Sequence, residues 1–245
     1  MLGIIKGDIR YEVLAQLMSA KLSSELYDFL DIDVLLLPFG GIDEDYNIKQ
    51  SKLNLLDILK ENAIKTILVG NANSKLKELC EQKNIKLIEL LKDYRFVIPN
   101  AKLTSMGIID YLSRKNLAVS DQKVLIVGFG NIGFTLAELL KANDCSFSIY
   151  PTNEAEEKYA HLLGYSITDF KDYDVLINTV PYNLDWDYAS LRGKRIIDVA
   201  SAPYGFDINK IYEYGICYEI VSAIPSKFAY ASAANIIKKY IEKYV

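Results

Sequence analysis

Apolar residues fall along this chain in two alternating rhythms. Short uninterrupted runs predict strands buried on both faces, and stripes with three- and four-residue spacing predict helices. Leu2–Ile5 opens with a run that breaks at Gly7-Asp8, and a helix follows with Val13, Leu14, Leu17 and Met18 on one side. Asp33–Pro38 is a second strand run, ending in Phe39-Gly40-Gly41. The acidic stretch Asp43-Glu44-Asp45 reads as a solvated loop. Leu55, Leu56 and Leu59 give a helix, Thr66–Val69 a strand, Leu76–Cys80 a helix and Ile85–Ile88 a strand. Strands separated by helices in this way predict a parallel sheet covered on both faces. The pattern predicts one α/β domain over 1–101.

From Leu103 the stripe Leu103, Met106, Ile109, Leu112 predicts a bridging helix within 102–117, with Thr104 or Ser105 capping its start. A Rossmann domain is expected over 118–227. Its strands are Val124–Val127, Phe147–Tyr150, Asp174–Asn178, Lys194–Asp198 and Ile216–Ile220, with a helix near Ala155–Leu163. The last segment, 228–245, carries apolar residues at Phe228, Ala231, Ala234, Ile237, Ile241 and Tyr244, with Lys238, Lys239, Glu242 and Lys243 opposite. It predicts an amphipathic helix, and the sequence leaves open whether that helix crosses back to pack on the first domain. The fold class is therefore α/β: an N-terminal flavodoxin- or Rossmann-like domain and a C-terminal dinucleotide-binding Rossmann domain, both with parallel sheets. No internal repeat or low-complexity tract is visible.

The chemistry is concentrated at Gly128-Phe-Gly130-Asn-Ile-Gly133. These glycines follow a buried strand run at once and open a helical stripe at Ile132, Leu136, Leu139 and Leu140. In this context the G-x-G-x-x-G spacing predicts a dinucleotide site. Gly128 makes the tight turn, Gly130 lets a pyrophosphate approach, and Gly133 brings helix and strand together. The phosphates would meet the helix N-terminus at Asn131 and Ile132. Ligands of open parallel sheets bind beyond the carboxyl ends of the strands. That rule collects Gly7, Asp8, Arg10, Pro38–Gly41 and Asn100 in the first domain. In the second it collects Tyr150, Thr152, Asn153, Asn178, Thr179, Val180, Pro181, Ala200 and Ser201.

Composition narrows the classes. In 245 residues, 51% are hydrophobic and 24% charged, which predicts a folded protein. The net charge of -4 gives no basic footprint for nucleic acid. The apolar run after Met1 is too short for a signal peptide, and no stretch approaches a membrane span. The 3 cysteines, Cys80, Cys145 and Cys217, are scattered without metal-ligand spacing, which suits a reducing cytoplasm. His161, the single histidine, sits on a helical stretch beside Tyr159, Leu162 and Leu163. That position argues against a 2-hydroxyacid dehydrogenase, which needs a histidine acid–base.

Two stretches, Leu176-Ile-Asn-Thr-Val-Pro181 and Ile197-Asp-Val-Ala-Ser-Ala-Pro-Tyr-Gly205, resemble the A subunit of bacterial dipicolinate synthase. That family reads I-N-T-I-P and D-L-A-S-x-P-G-G there. Gly7-Asp8-Ile-Arg10 is similar to its G-D-x-R, and Leu37-Pro38 and Asn100 fall where it has L-P and Asn. The resemblance implies an NADP-binding Rossmann domain and a flavoprotein-like B subunit. It also implies oxidation of a dihydropyridine dicarboxylate to dipicolinate, the acid of dormant spores. Asp8, Arg10 and Asn178 are the catalytic candidates: Asp8 as acid or base, or else as the cap of the next helix, and Arg10 gripping a substrate carboxylate, with Lys6, Lys102 and Lys227 as further cations.

The chain departs from the family at three places. Thr152, in Tyr150-Pro-Thr-Asn153, stands where the family has an arginine for the 2′-phosphate, so neither NAD nor NADP is charge-selected. Hydrogen bonding from Thr152 and Asn153 leans to NADP. Leu103-Thr-Ser-Met-Gly107 lacks the proline and carboxylate of P-T-x-E-G, and Ala229-Tyr-Ala-Ser-Ala-Ala234 lacks the lysine of A-P-K-T-A-G. The chain is also short for the family, through a trimmed first domain. A diverged, non-catalytic or regulatory NAD(P)-binding protein is the alternative, and a homo-oligomer is open in either case.

Overall fold

In a computed structural model, describing residues 1–26, 31–168 and 172–245, the apolar runs form strands and the stripes form helices. The chain divides into two compact units, one of residues 1–100 with 229–245 and one of residues 101–228.

In the first unit, β1 (Leu2–Ile5), β2 (Lys21–Ser23), β3 (Val34–Leu36), β4 (Thr66–Val69) and β5 (Lys86–Glu89) form a parallel sheet of order β2-β1-β3-β4-β5. The central strands β1 and β3 are buried throughout, as continuous apolar runs require. One face is covered by α2 (Leu55–Glu61) and α3 (Ser74–Gln82) over Leu35, Ile67 and Val69. The other is covered by α1 (Ile9–Met18), the start of α4 (Tyr94–Arg114) and α9 (Tyr230–Ile241), over Ile4, Leu36 and Leu68.

The second unit repeats the arrangement with unrelated residues. Strands β6 (Val124–Val127), β7 (Phe147–Tyr150), β8 (Val175–Asn178), β9 (Arg195–Asp198) and β10 (Cys217–Ile220) are parallel, in the order β10-β9-β8-β6-β7. Read from β7, this is the same order as in the first sheet. Helices α5 (Asn131–Ala142), α6 (Glu154–Leu162), α7 (Ile208–Glu213) and α8 (Ile224–Phe228) complete it. Register aligns the strand ends: Val127 pairs with Tyr150 and Asn178, Asn178 with Asp198, and Asp198 with Ile220. In both sheets the order reverses beside the first strand of the unit, where doubly wound folds bind ligands.

The two-domain α/β expectation holds, but several local expectations do not. The bridging helix starts at Tyr94, where the Asp93 carboxylate accepts the Arg95 N–H at 2.9 Å. Thr104 and Ser105 are thus interior residues rather than caps. The Ser105 hydroxyl is buried 2.8 Å from Thr135 Oγ1. Pro99 lies inside this helix, on an exposed side of it. On α1 the buried face is Tyr11, Leu14 and Ala15, whereas Leu17 is exposed. Met106 and Ala231 are also exposed, Ala233 and Tyr240 being buried on α9 instead. Strand β2 and helices α7 and α8 are additions to the expected elements.

Candidate dinucleotide site

The glycine turn joins β6 to α5. Gly128 has φ +86°, in the left-handed region, and a Cβ there would lie 2.6 Å from Val180 Cγ2. Gly133 lies against the turn itself, so a Cβ would be 2.1 Å from the Gly128 carbonyl oxygen. Gly130 is different. It is exposed, with nothing within 4 Å of its Cβ position. It is also the N-cap of α5, whose first turn receives no side-chain cap. The result is a helix N-terminus with bare backbone donors and an open approach, which suits a pyrophosphate. Phe129 anchors the turn from below, its buried ring 5.7 Å from those of Tyr159 and Tyr165.

The neighbouring turns are tied to this one. Gly128 N–H donates to Tyr150 O at 2.9 Å, and the Thr179 hydroxyl donates to Val127 O at 2.8 Å. Asn178 is wholly buried and engaged by its own turn: Nδ2 donates to Val180 O at 2.9 Å, and Oδ1 accepts Val180 N–H at 3.2 Å. A catalytic candidate by sequence, it shapes the turn that carries Thr179, Val180 and Pro181.

Asp198, also wholly buried, does the same for the next turn. Its carboxylate accepts the N–H groups of Ala200 (3.0 Å) and Gly205 (2.9 Å) and the Tyr218 hydroxyl (3.0 Å). Burial, and then the Asp198 charge, push the Tyr218 phenol far above its ordinary range, so it stays a donor. Ser201 is left exposed on this turn, and Ala200 is buried. The chain's only tryptophan, Trp186, is stacked 4.5 Å from Phe206 and donates to Gly205 O at 2.6 Å. Sequence reasoning takes Asp198 as part of a motif and misses its role; its place as the last residue of a strand was the available signal.

At the end of β7, Tyr150, Pro151 and Thr152 are half-buried. Asn153 caps α6, accepting Glu156 N–H at 3.0 Å. Glu156 returns the contact: its Oε2 accepts the Thr152 N–H at 2.8 Å and the Thr152 hydroxyl at 3.0 Å. The Tyr182 hydroxyl donates to Thr152 Oγ1 at 3.1 Å. Glu156 too was missed, although the Asn153-x-x-Glu156 spacing is that of a capping box. His161 is exposed on α6, away from the strand ends. Among the described residues no cluster of His, Cys, Asp and Glu could hold a metal ion, and no helix is long and apolar enough to cross a membrane.

In the first unit, Asp8 and Arg10 follow β1 as expected but are paired. Arg10 Nε and Nη2 donate to the Asp8 carboxylate at 2.9 and 2.6 Å, and the guanidinium lies 4.8 Å over the Phe39 ring. Asp8 also caps α1, accepting Arg10 N–H at 3.0 Å. Lys6 pairs with Glu12 at 3.1 Å. Beside them a cavity of about 540 Å³ is lined by Lys6, Gly7, Ser24, Glu25, Gln50, Ser51 and Lys52.

Residues 11–91 match the family model of the N-terminal domain of the dipicolinate synthase A subunit. The resemblance to that family is borne out. Among solved structures, the A subunit of dipicolinate synthase from Bacillus halodurans superposes with a TM-score of 0.78 at 22% identity, over 99% of this chain and 96% of that one. Its counterpart in the Bacillus subtilis dipicolinate synthase also gives 0.78, at 20% identity, over 99% and 94%. The D-lactate dehydrogenase of Salmonella gives 0.62 at 11% identity, over 99% and 95%. At these identities the likeness is one of fold, that of the two-domain dehydrogenases. No curated protein matches the chain in sequence.

Proposed function

We propose that the chain is a pyridine-nucleotide-dependent oxidoreductase of the kind found as the A subunit of dipicolinate synthase. It would oxidise a dihydropyridine dicarboxylate to the aromatic diacid in the cytoplasm of a spore-forming cell, beside a flavoprotein-like partner protein. The observation that carries this reading is the open backbone at Gly130 on the uncapped N-terminus of α5. A nucleotide pyrophosphate needs that cradle, and a Cβ at Gly130 would fill it.

The nicotinamide, when bound, supplies the hydride acceptor. The protein supplies positions. The first-turn amides of α5 hold the phosphates, while Thr179, Val180 and Pro181, fixed by Asn178, and Ser201, fixed by Asp198, border the nicotinamide side. Arg10 keeps its Nη1 group unbonded among the described residues, so it can donate to a carboxylate while Asp8 orients it. Lys52 brings a further cation to the neighbouring cavity, which Glu25 also lines. Loss of hydride and a proton aromatises the ring, so the site has little charge to stabilise beyond the two carboxylates.

A second reading, a diverged regulatory nucleotide-binding protein, is favoured by one observation. The Asp8 carboxylate already neutralises Arg10, which weakens its hold on an anion. The test is nucleotide reduction by a dihydropyridine dicarboxylate, with and without a flavoprotein partner, followed by near-ultraviolet absorbance. Turnover that rises in KM with Arg10→Ala, at unchanged nucleotide affinity, supports the enzyme. Nucleotide binding without reduction in any preparation transfers the case to the regulatory reading.

A further inference from the structure

We propose that Glu156 selects the nucleotide, favouring NAD(H) over NADP(H). This rests on the dinucleotide reading of the second unit. In doubly wound folds the 2′-position of the adenosine ribose is read just past the second strand, by an acid for a free hydroxyl or an arginine for a phosphate. Past β7, Tyr150-Pro-Thr-Asn153 offers neither. The structure supplies the missing charge from the first turn of α6.

Asn153 holds the Glu156 backbone in place, and the carboxylate folds back over the turn. Its Oε2 takes the Thr152 N–H and the Thr152 hydroxyl proton, the two donors that a 2′-phosphate would need. Tyr182 donates to the Thr152 oxygen, which leaves the threonine proton directed at Glu156. Glu156 Oε1 has no partner among the described residues, so it is free to accept from a ribose diol.

The surrounding charge points the same way. Glu154 and Glu157 share the first turn of α6 with Glu156, and Lys158 is held at 2.6 Å by Glu154. A 2′-phosphate would have to displace a carboxylate and then sit among like charges, whereas a diol donates into an acceptor already in place.

The experiment titrates the protein with NADH and with NADPH, following energy transfer from Trp186 and confirming by calorimetry. NADH should bind at least about 50-fold more tightly, the order of discrimination that placing like charges against each other in a site gives. Glu156→Gln retains an acceptor for Thr152 N–H and removes the charge. It should bring the two affinities within about 5-fold by strengthening NADPH, while the exposed Glu154→Gln should leave the ratio near that of the wild type. Equal binding of both nucleotides by the wild-type protein overturns the inference alone. So does a ratio that Glu156→Gln leaves unchanged or that Glu154→Gln shifts as much. Failure of folded protein to bind either nucleotide overturns the proposed function together with it.

Discussion

Gly133 and Gly130 differ by one turn of helix, and replacing each with alanine should have opposite consequences. At Gly133 the new Cβ would lie 2.1 Å from the Gly128 carbonyl oxygen and 3.0 Å from its carbon. Ordinary contact begins at 3.4 Å, so α5 must retreat from the turn by about 1.3 Å. That lifts Leu136, Ala137 and Leu140, all fully buried, off the sheet. Overpacking of this kind costs about 3 kcal/mol when backbone is the obstacle. Alanine returns about 1 kcal/mol through helix propensity. The net loss is about 2 kcal/mol, which at a urea slope near ~2 kcal/mol/M lowers the midpoint by about 1 M. At Gly130 a Cβ meets nothing within 4 Å, and the loss stays below about 1 kcal/mol. Nucleotide affinity should instead fall at least about 10-fold, about 1.4 kcal/mol, because the Cβ fills the phosphate approach. Trp186 reports on the second unit alone, so urea titration of its emission reads the first effect and nucleotide titration the second. The reasoning fails if Gly133→Ala unfolds with the wild type, or if Gly130→Ala is the less stable of the two.

Three further outcomes are expected. Asp198→Asn turns one acceptor toward an N–H or hydroxyl that needs it, so it should cost about 1–3 kcal/mol and weaken reduced-nucleotide binding; an unchanged urea midpoint and affinity would refute its role. Hydrogen bonds from Lys115 (2.7 Å) and Tyr111 (2.6 Å) hold the Glu219 carboxyl below its ordinary 4.5. Its contribution is therefore present above pH 4.5 and lost as pH falls through the lower folded value, and Glu219→Gln should flatten the acid limb of a stability–pH curve. Cys217 is exposed, whereas burial pushes the Cys80 thiol up to about 11 and raises that of Cys145, so a disulfide reagent should label Cys217 first and the others only on unfolding.

Much of the scaffold was legible because buried parallel strands are continuous apolar runs. β1, β4, β6 and β7 have the bounds read from sequence. β2 escaped because Lys21–Ser23 is a short edge strand of mixed polarity, exposed at Lys21. The start of α4 escaped because Pro99 and Asn100 look like a terminus, while the capping Asp93 lies a turn and a half upstream. At the site the glycine spacing was legible, since backbone geometry demands glycine. Glu156 was legible only as the third residue after a capping Asn153; that its carboxylate turns back onto Thr152 was not. Arg10 and Asp8 were each legible as charges, but their mutual neutralisation is a matter of rotamers that no spacing encodes.

The first unit takes its residues from both ends of the chain, 1–100 and 229–245, with the second unit inserted between them. The order of synthesis then matters. Once Phe228 has been added every residue of the second unit exists, but the first unit still lacks α9. Leu14 and Phe96 share a cluster with Ala234, Ile237 and Ile241, so until that helix emerges an apolar face of the first unit stands bare. The unit made first is completed last. During translation this face is where the nascent chain would engage a chaperone, and a stop codon ahead of Tyr230 would leave a finished dinucleotide fold attached to an unfinished partner.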